Sequence, residues 1–124
     1  MESKELRALI GLLTGDPASP ILWNLFLADL KMMPDMDDVF LAAVRISLLA
    51  QADDMLLVSL SARGLRTKLL TLEKWCACNF ILINLIKTIV LIFEFGRTQL
   101  LRSHLVFMLG NTQLRIEIQE NMLE

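Results

Sequence analysis

The spacing of apolar residues predicts a helix near the start of the chain. After Pro17, apolar side chains return every three or four positions, which is the period of one helical face: Ile21, Leu22, Leu25, Phe26 and Leu30. Asp16 can accept hydrogen bonds from the first free amide groups of a helix, and Pro17 stands where its missing donor has no cost. We therefore expect a helix from about Pro17 to Leu30.

A second helix is predicted from Ala62 to Cys78. One apolar face is traced by Leu65, Leu69, Leu72 and Cys76. Ser61 is a suitable N-cap, and Asn79 can end the helix in the left-handed conformation. A weaker pattern in residues 1–15 predicts a short helical stretch there: Leu6, Ile10 and Leu13.

Strands are predicted in the rest of the chain. Val44 to Leu60 is apolar on both sides of Gln51-Ala52-Asp53-Asp54, which favours a hairpin with a tight turn. The other segments are a polar loop from Lys31 to Asp38, a strand region from Phe80 to Phe95 broken near Asn84 to Ile86, and a hairpin from His104 to Ile118 turning at Gly110-Asn111. This order, without a βαβ repeat, predicts an α+β fold with helices on one face of an antiparallel sheet.

Composition adds an expectation about partners. The 124 residues fit a single domain, and 55% of them are hydrophobic against 21% charged, so we expect exposed apolar surface and a partner that covers it. A net charge of −2 argues against tight binding of nucleic acid. The charged start favours an intracellular protein over a secreted one. The most apolar stretch is too short and too interrupted to cross a bilayer, so a membrane role is not expected.

Cys76 and Cys78 lie two positions apart on the second predicted helix. That spacing sends their side chains to different faces. We therefore expect neither a disulfide nor half of a zinc site.

Four segments carry a family pattern: Gly15 to Leu30, Leu49 to Met55, Trp75 to Phe93, and Phe107 to Thr112. In order and spacing they resemble the motifs QGSPLSPLLFNLYINDL, YADD, WC..N.L.IN..KT....F and YLG of the reverse transcriptases of non-LTR (LINE-type) retrotransposons. The likeness covers about residues 11–115.

The resemblance implies the C-terminal half of a polymerase palm. In this family the YADD aspartates hold the metals for nucleotidyl transfer, so Asp53 and Asp54 would be catalytic ligands of Mg²⁺ or Mn²⁺. Lys87 would lie near the nucleotide phosphates. Contacts to nucleotide or nucleic acid are implied at six positions: Gly15, Asp16, Pro17, Ser19, Gln51 and Gly110.

The resemblance is incomplete at the catalytic centre. Two-metal phosphoryl transfer needs carboxylates on both sides of the metal pair, and the family's other aspartate belongs to an upstream motif. The ten residues before Gly11 contain no aspartate. Thr14 and Gln51 stand where the family has glutamine and tyrosine. We therefore do not expect the chain to polymerise nucleotides alone.

Simpler interpretations accompany these assignments. Asp53 and Asp54 also suit a solvated hairpin turn, and Lys87 also suits a lysine that keeps an apolar strand soluble. Asp35, Asp37 and Asp38 lack the glycine and distal glutamate of a calcium loop and are interpreted as a polar connection.

The leading functional hypothesis is a catalytically inactive fragment of reverse-transcriptase descent that persists as a self-associating module. Loss of the upstream strand would leave the hairpin at Val44 to Leu60 with an open apolar edge, which favours a homodimer or a subunit of a complex. The alternatives are residual metal-dependent nucleotidyl transfer at Asp53 and Asp54, nucleic-acid binding without chemistry, and a membrane or lipid-surface role driven by the excess of apolar area.

Overall fold

The computed structural model describes residues 15–94 and 105–120. Two parts of the prediction lie outside the described residues. They are the helical stretch in residues 1–15, apart from Gly15, and the two predicted element ends at Phe95 and His104. The described elements are α1 (Ser19–Leu27), β1 (Val39–Leu41), β2 (Val44–Ile46), β3 (Leu48–Gln51), β4 (Asp54–Leu57), α2 (Ala62–Cys78), β5 (Ile89–Glu94), β6 (Met108–Leu109), β7 (Thr112–Gln113) and β8 (Arg115–Glu120).

Helix α1 is shorter than predicted at both ends. The Asp16 carboxylate accepts from the amide of Ala18 at 2.9 Å, so it closes a turn before the helix and does not cap it. Pro20 occupies the first helical turn in place of Pro17. The helix ends at Leu27, and Leu30 follows it as a buried residue.

Helix α2 has the predicted bounds. Ser61 caps it by accepting from the amide of Gly64 at 3.0 Å. The prediction for Asn79 is wrong, because its φ is −107° and the left-handed residue is Phe80, with φ of +57°. Both nitrogens of Asn79 donate to the carbonyl of Trp75, and the left-handed residue that ends the helix is Phe80, after which the amide of Ile81 donates to the carbonyl of Cys76 at 3.0 Å.

The central hairpin is confirmed and is shorter than predicted. Strands β3 and β4 pair antiparallel from Leu48↔Leu57 to Gln51↔Asp54. Val44 belongs instead to a separate hairpin of β1 and β2. Its turn residues, Ala42 and Ala43, both have positive φ, a turn type that usually takes asparagine and glycine.

The C-terminal part differs most from the prediction. The turn at Gly110-Asn111 joins β6 to β7 as expected. However, β8 leaves that hairpin and pairs in parallel with β5, and the strand region predicted from Phe80 begins only at Ile89. The fold is α+β, as predicted, but the strands of the described residues form four two-stranded sheets, three antiparallel and one parallel.

Helix α2 is the centre of the packing. One cluster joins Leu69 to Val90, Phe107, Leu109 and Leu114 of the C-terminal strands and their flanks. The other joins Leu72 and Cys76 to Leu30, with Leu48 and Met55 of the central hairpin packed against them. Cys76 is buried and Cys78 is exposed, as the helical spacing predicts.

Candidate functional site

The Asp53–Asp54 pair lies at the tip of the central hairpin. Ala52 and Asp53 form a two-residue turn, and Asp54 opens β4 opposite Gln51. All four residues are exposed. Within the described part of the chain, no ion pair or side-chain hydrogen bond engages either carboxylate.

Helix α1 is anchored to this turn. The indole N–H of Trp23 donates to the carbonyl oxygen of Ala52, the residue immediately before Asp53. Phe26 lies one helical turn further on, with its ring centroid 5.8 Å from that of Trp23. The first two family-like segments are thus in direct contact.

The third segment joins the same cluster through α2. The ring centroids of Trp75 and Phe26 are 5.3 Å apart, and the Trp75 indole donates to Oδ1 of Asp29 at 3.0 Å. Trp75 and Met55 of β4 both pack against the buried cluster of Leu30, Leu72 and Cys76. Three of the four family-like segments therefore meet around Trp23, Phe26 and Trp75, which we call the aromatic cluster.

The N-terminal site positions lie at the amino end of α1. Gly15 has φ of +86°, and it, Asp16 and Pro17 are exposed, whereas Ser19 is half-buried. Ser19 precedes Trp23 by about one helical turn. The helix that begins at Ser19 reaches the aspartate turn through Trp23.

Lys87 and Gly110 are placed elsewhere. The Lys87 side chain is exposed, while its amide donates to the carbonyl and side-chain oxygens of Asn84. Gly110 lines a shallow, mainly apolar groove of about 290 Å³ with Cys76, Ile83 and Leu109. Among described contacts, no hydrogen bond or ion pair joins Lys87 or Gly110 to the aspartate turn.

The chemistry of the turn fits a hard divalent cation only in part. Carboxylate oxygens are the ligands that Mg²⁺ and Mn²⁺ prefer. Across residues 15–94 and 105–120, however, no group of three or more His, Cys, Asp or Glu side chains is arranged to hold a metal ion. Asp53 and Asp54 would need a further ligand from outside those residues.

The Asp35–Asp38 loop is more than the polar connection that the sequence predicts. Asp38 is 2% exposed, and its Oδ1 lies 2.6 Å from Nζ of Lys68, which is 3% exposed. Lys68 also donates to the carbonyl of Val58, just after β4. Arg45 lies 3.6 Å from the other carboxylate oxygen of Asp38. The sequence holds one signal for this pair, because Lys68 stands in the row of α2 in which buried side chains recur.

Arg63 holds the same loop from the first turn of α2. Its guanidinium contacts Asp35 at 2.9 Å and Asp37 at 3.0 Å, and Asp37 also accepts from the Ser61 hydroxyl at 2.6 Å. The backbone amide of Asp37 and then Arg63 lower the pKa of Asp35. Lys68 and then the amide of Asp35 lower the pKa of Asp38.

The ionic contacts bear on nucleic-acid binding. Arg45, Arg63 and Lys68 face aspartates and are not free to neutralise phosphates.

Within the described residues, no helix is both long and apolar enough to span a membrane.

Comparisons with family models, curated proteins and solved structures found no match to this chain.

Proposed function

We propose that this chain is a palm fragment of reverse-transcriptase descent that acts by self-association and does not polymerise nucleotides alone. Its descent is supported by the aromatic cluster, which brings three family-like segments together around the aspartate turn. Catalysis by one chain would need a further carboxylate, because Asp53 and Asp54 supply only one side of a two-metal site.

The observation that carries self-association is the isolated central hairpin. Strands β3 and β4 pair only with each other among the described strands, so each has an open outer edge. Leu49 and Leu56 are cross-strand partners and are 50% and 55% exposed, so the face away from α2 is also apolar. A second copy can cover this edge and face together.

The test is the oligomeric mass by sedimentation velocity over a wide concentration range. We expect the wild-type chain to be a dimer, and we expect Leu56→Lys to shift it to monomer because the charge would be desolvated at the interface. Leu70→Lys is the matched control, since Leu70 is also 50% exposed but lies on α2. A wild-type chain that stays monomeric at every concentration rules out self-association.

A second candidate function is cation-dependent chemistry at Asp53 and Asp54, completed by a carboxylate of another copy. It is favoured by the exposure of both carboxylates and by their lack of described ionic partners. We expect calorimetry to show Mn²⁺ binding that Asp53→Ala abolishes. Primer extension with Mn²⁺ then separates catalysis from binding. If the Asp53→Ala chain binds Mn²⁺ as well as wild type does, the site lies elsewhere.

A further inference from the structure

Ala52 is a conformationally strained residue at the tip of the central hairpin. Its φ is +53°, in the left-handed region that residues with a Cβ atom rarely adopt. Such a residue persists only where its surroundings hold it, and such residues concentrate at functional sites. The direction of the next two side chains, Asp53 and Asp54, depends on this conformation.

One contact from outside the hairpin holds the carbonyl of Ala52. The indole N–H of Trp23 donates to it across 29 positions of sequence. Trp23 is in turn fixed by Phe26, whose ring packs on Trp75 of α2. The turn is therefore braced against the helix that packs in both core clusters.

We propose that Trp23 is a positioning residue for the Asp53–Asp54 pair. Its hydrogen bond keeps Ala52 left-handed and so fixes the direction in which the two carboxylates present their oxygens to a divalent cation. The proposal rests on the cation site described above for its ligand, but the bracing of the turn can be measured without any metal.

The two tryptophans provide a matched comparison. Trp23→Phe removes the indole donor to Ala52 and keeps an aromatic ring in place. Trp75→Phe removes the indole donor to Asp29 but keeps an aromatic ring against Phe26, so the contact of Trp23 with Ala52 is retained. Unfolding of each variant by urea would show whether either change disturbs the whole fold.

The first measurement is the three-bond coupling between the amide proton and Hα of Ala52, which reports φ, in the full chain without metal. We expect it to change in Trp23→Phe and to stay at the wild-type value in Trp75→Phe. An unchanged coupling in Trp23→Phe would overturn the proposal, whether or not the protein binds metal.

The second measurement is Mn²⁺ affinity by calorimetry. We expect Trp23→Phe to weaken binding by roughly threefold to tenfold, the effect of one lost hydrogen bond, and Trp75→Phe to change it by less than about twofold. Ala52→Gly in the Trp23→Phe chain should restore affinity, because glycine adopts positive φ without the brace. A loss that Ala52→Gly does not restore would contradict positioning.

The two measurements separate this proposal from the cation site. If the wild-type chain binds no Mn²⁺, the cation site is wrong and the coupling of Ala52 alone decides whether Trp23 braces the turn. If Mn²⁺ binds with equal affinity to wild type and Trp23→Phe, the cation site stands and Trp23 does not position it.

Discussion

Three alanines occupy turn positions that usually take glycine or asparagine. Ala42 and Ala43 connect β1 to β2, and Ala52 begins the turn between β3 and β4. Each has positive φ, where the Cβ atom crowds the backbone. The turn of the β1–β2 hairpin could therefore not be predicted from its residue types. Val39 to Ile46 contains no Asn-Gly or Asp-Gly pair, which would have indicated such a turn.

The strain at these alanines predicts a stabilising substitution. Ala43→Gly should raise the free energy of unfolding by about 1 kcal/mol, because glycine adopts the left-handed conformation of this residue without crowding. Urea unfolding followed by circular dichroism measures the change. Ala77→Gly, on the exposed side of α2, should lower stability by about 1 kcal/mol, which shows that the gain is specific to the turn. Equal effects of the two changes would contradict the argument.

The buried pair of Asp38 and Lys68 could not be predicted from apolar periodicity. Lys68 stands between Gly64 and Leu72 in the buried row of α2, a position where the pattern expects an apolar side chain. Its ammonium forms an ion pair with Asp38 and donates to the carbonyl of Val58, so it links the loop before β1 and the residue after β4 to the helix. The lysine in this row is a local sign of a buried ionic contact, but no local pattern identifies Asp38 as its partner.

This pair predicts a defined dependence of stability on pH. The pKa values of Asp35 and Asp38 are lowered from the usual 3.8, so their ionised forms stabilise the fold. That contribution is complete above about pH 5 and is lost as the pH falls below 3.8 and through the folded-state pKa values.

The measurement is thermal unfolding between about pH 2 and pH 7, with Asp38→Asn and Asp53→Asn as variants. Asp38→Asn should lower the melting temperature on the order of 10 °C at neutral pH and flatten the acid dependence, because it leaves Lys68 buried without a charged partner. Asp53→Asn, at an exposed turn, should keep the wild-type profile. An Asp38→Asn profile as steep as wild type would show that other carboxylates govern acid unfolding.

At the scale of elements, α2 follows from its sequence and α1 does so only in part. Ser61 and Asn79 mark the two ends of α2, and the apolar row between them packs in both core clusters. In α1 no residue is buried, although most of its side chains are apolar. Periodicity alone could not separate the residues that pack on the aspartate turn from those left exposed.

Because α2 packs in both core clusters, a cavity at one of its buried residues should lower the free energy of unfolding strongly. Leu69 is 6% exposed and packs in the cluster that includes Phe107, so Leu69→Ala should cost about 3 kcal/mol of unfolding free energy. Leu70→Ala, one position along but 50% exposed, should change it by less than about 0.5 kcal/mol. Chemical denaturation measures both variants. A small loss for Leu69→Ala would mean that the C-terminal strands do not pack on α2.

At the scale of the molecule, the described strands form pairs and not a continuous sheet. The sequence predicted one antiparallel sheet because it shows where strands begin and end, not which of them pair. The parallel pairing of β5 with β8 depends on contacts between segments more than 20 residues apart. Isolated two-stranded pairs are marginal in water, so their stability depends on α2 and on any further surface that covers them.

Self-association therefore predicts that stability depends on protein concentration. If folding is linked to dimer formation, mass action raises the melting temperature with concentration, by about 3 °C for each tenfold increase in a domain of this size. Scanning calorimetry over a hundredfold range of concentration measures this slope. Leu56→Lys should abolish the slope, because Leu56 lies on the exposed face of the central hairpin. Leu70→Lys should keep the slope, because Leu70 lies on α2. A slope that persists in Leu56→Lys would show that the interface lies elsewhere. The next surface to substitute would then be α1, where Ile21 and Leu25 are exposed.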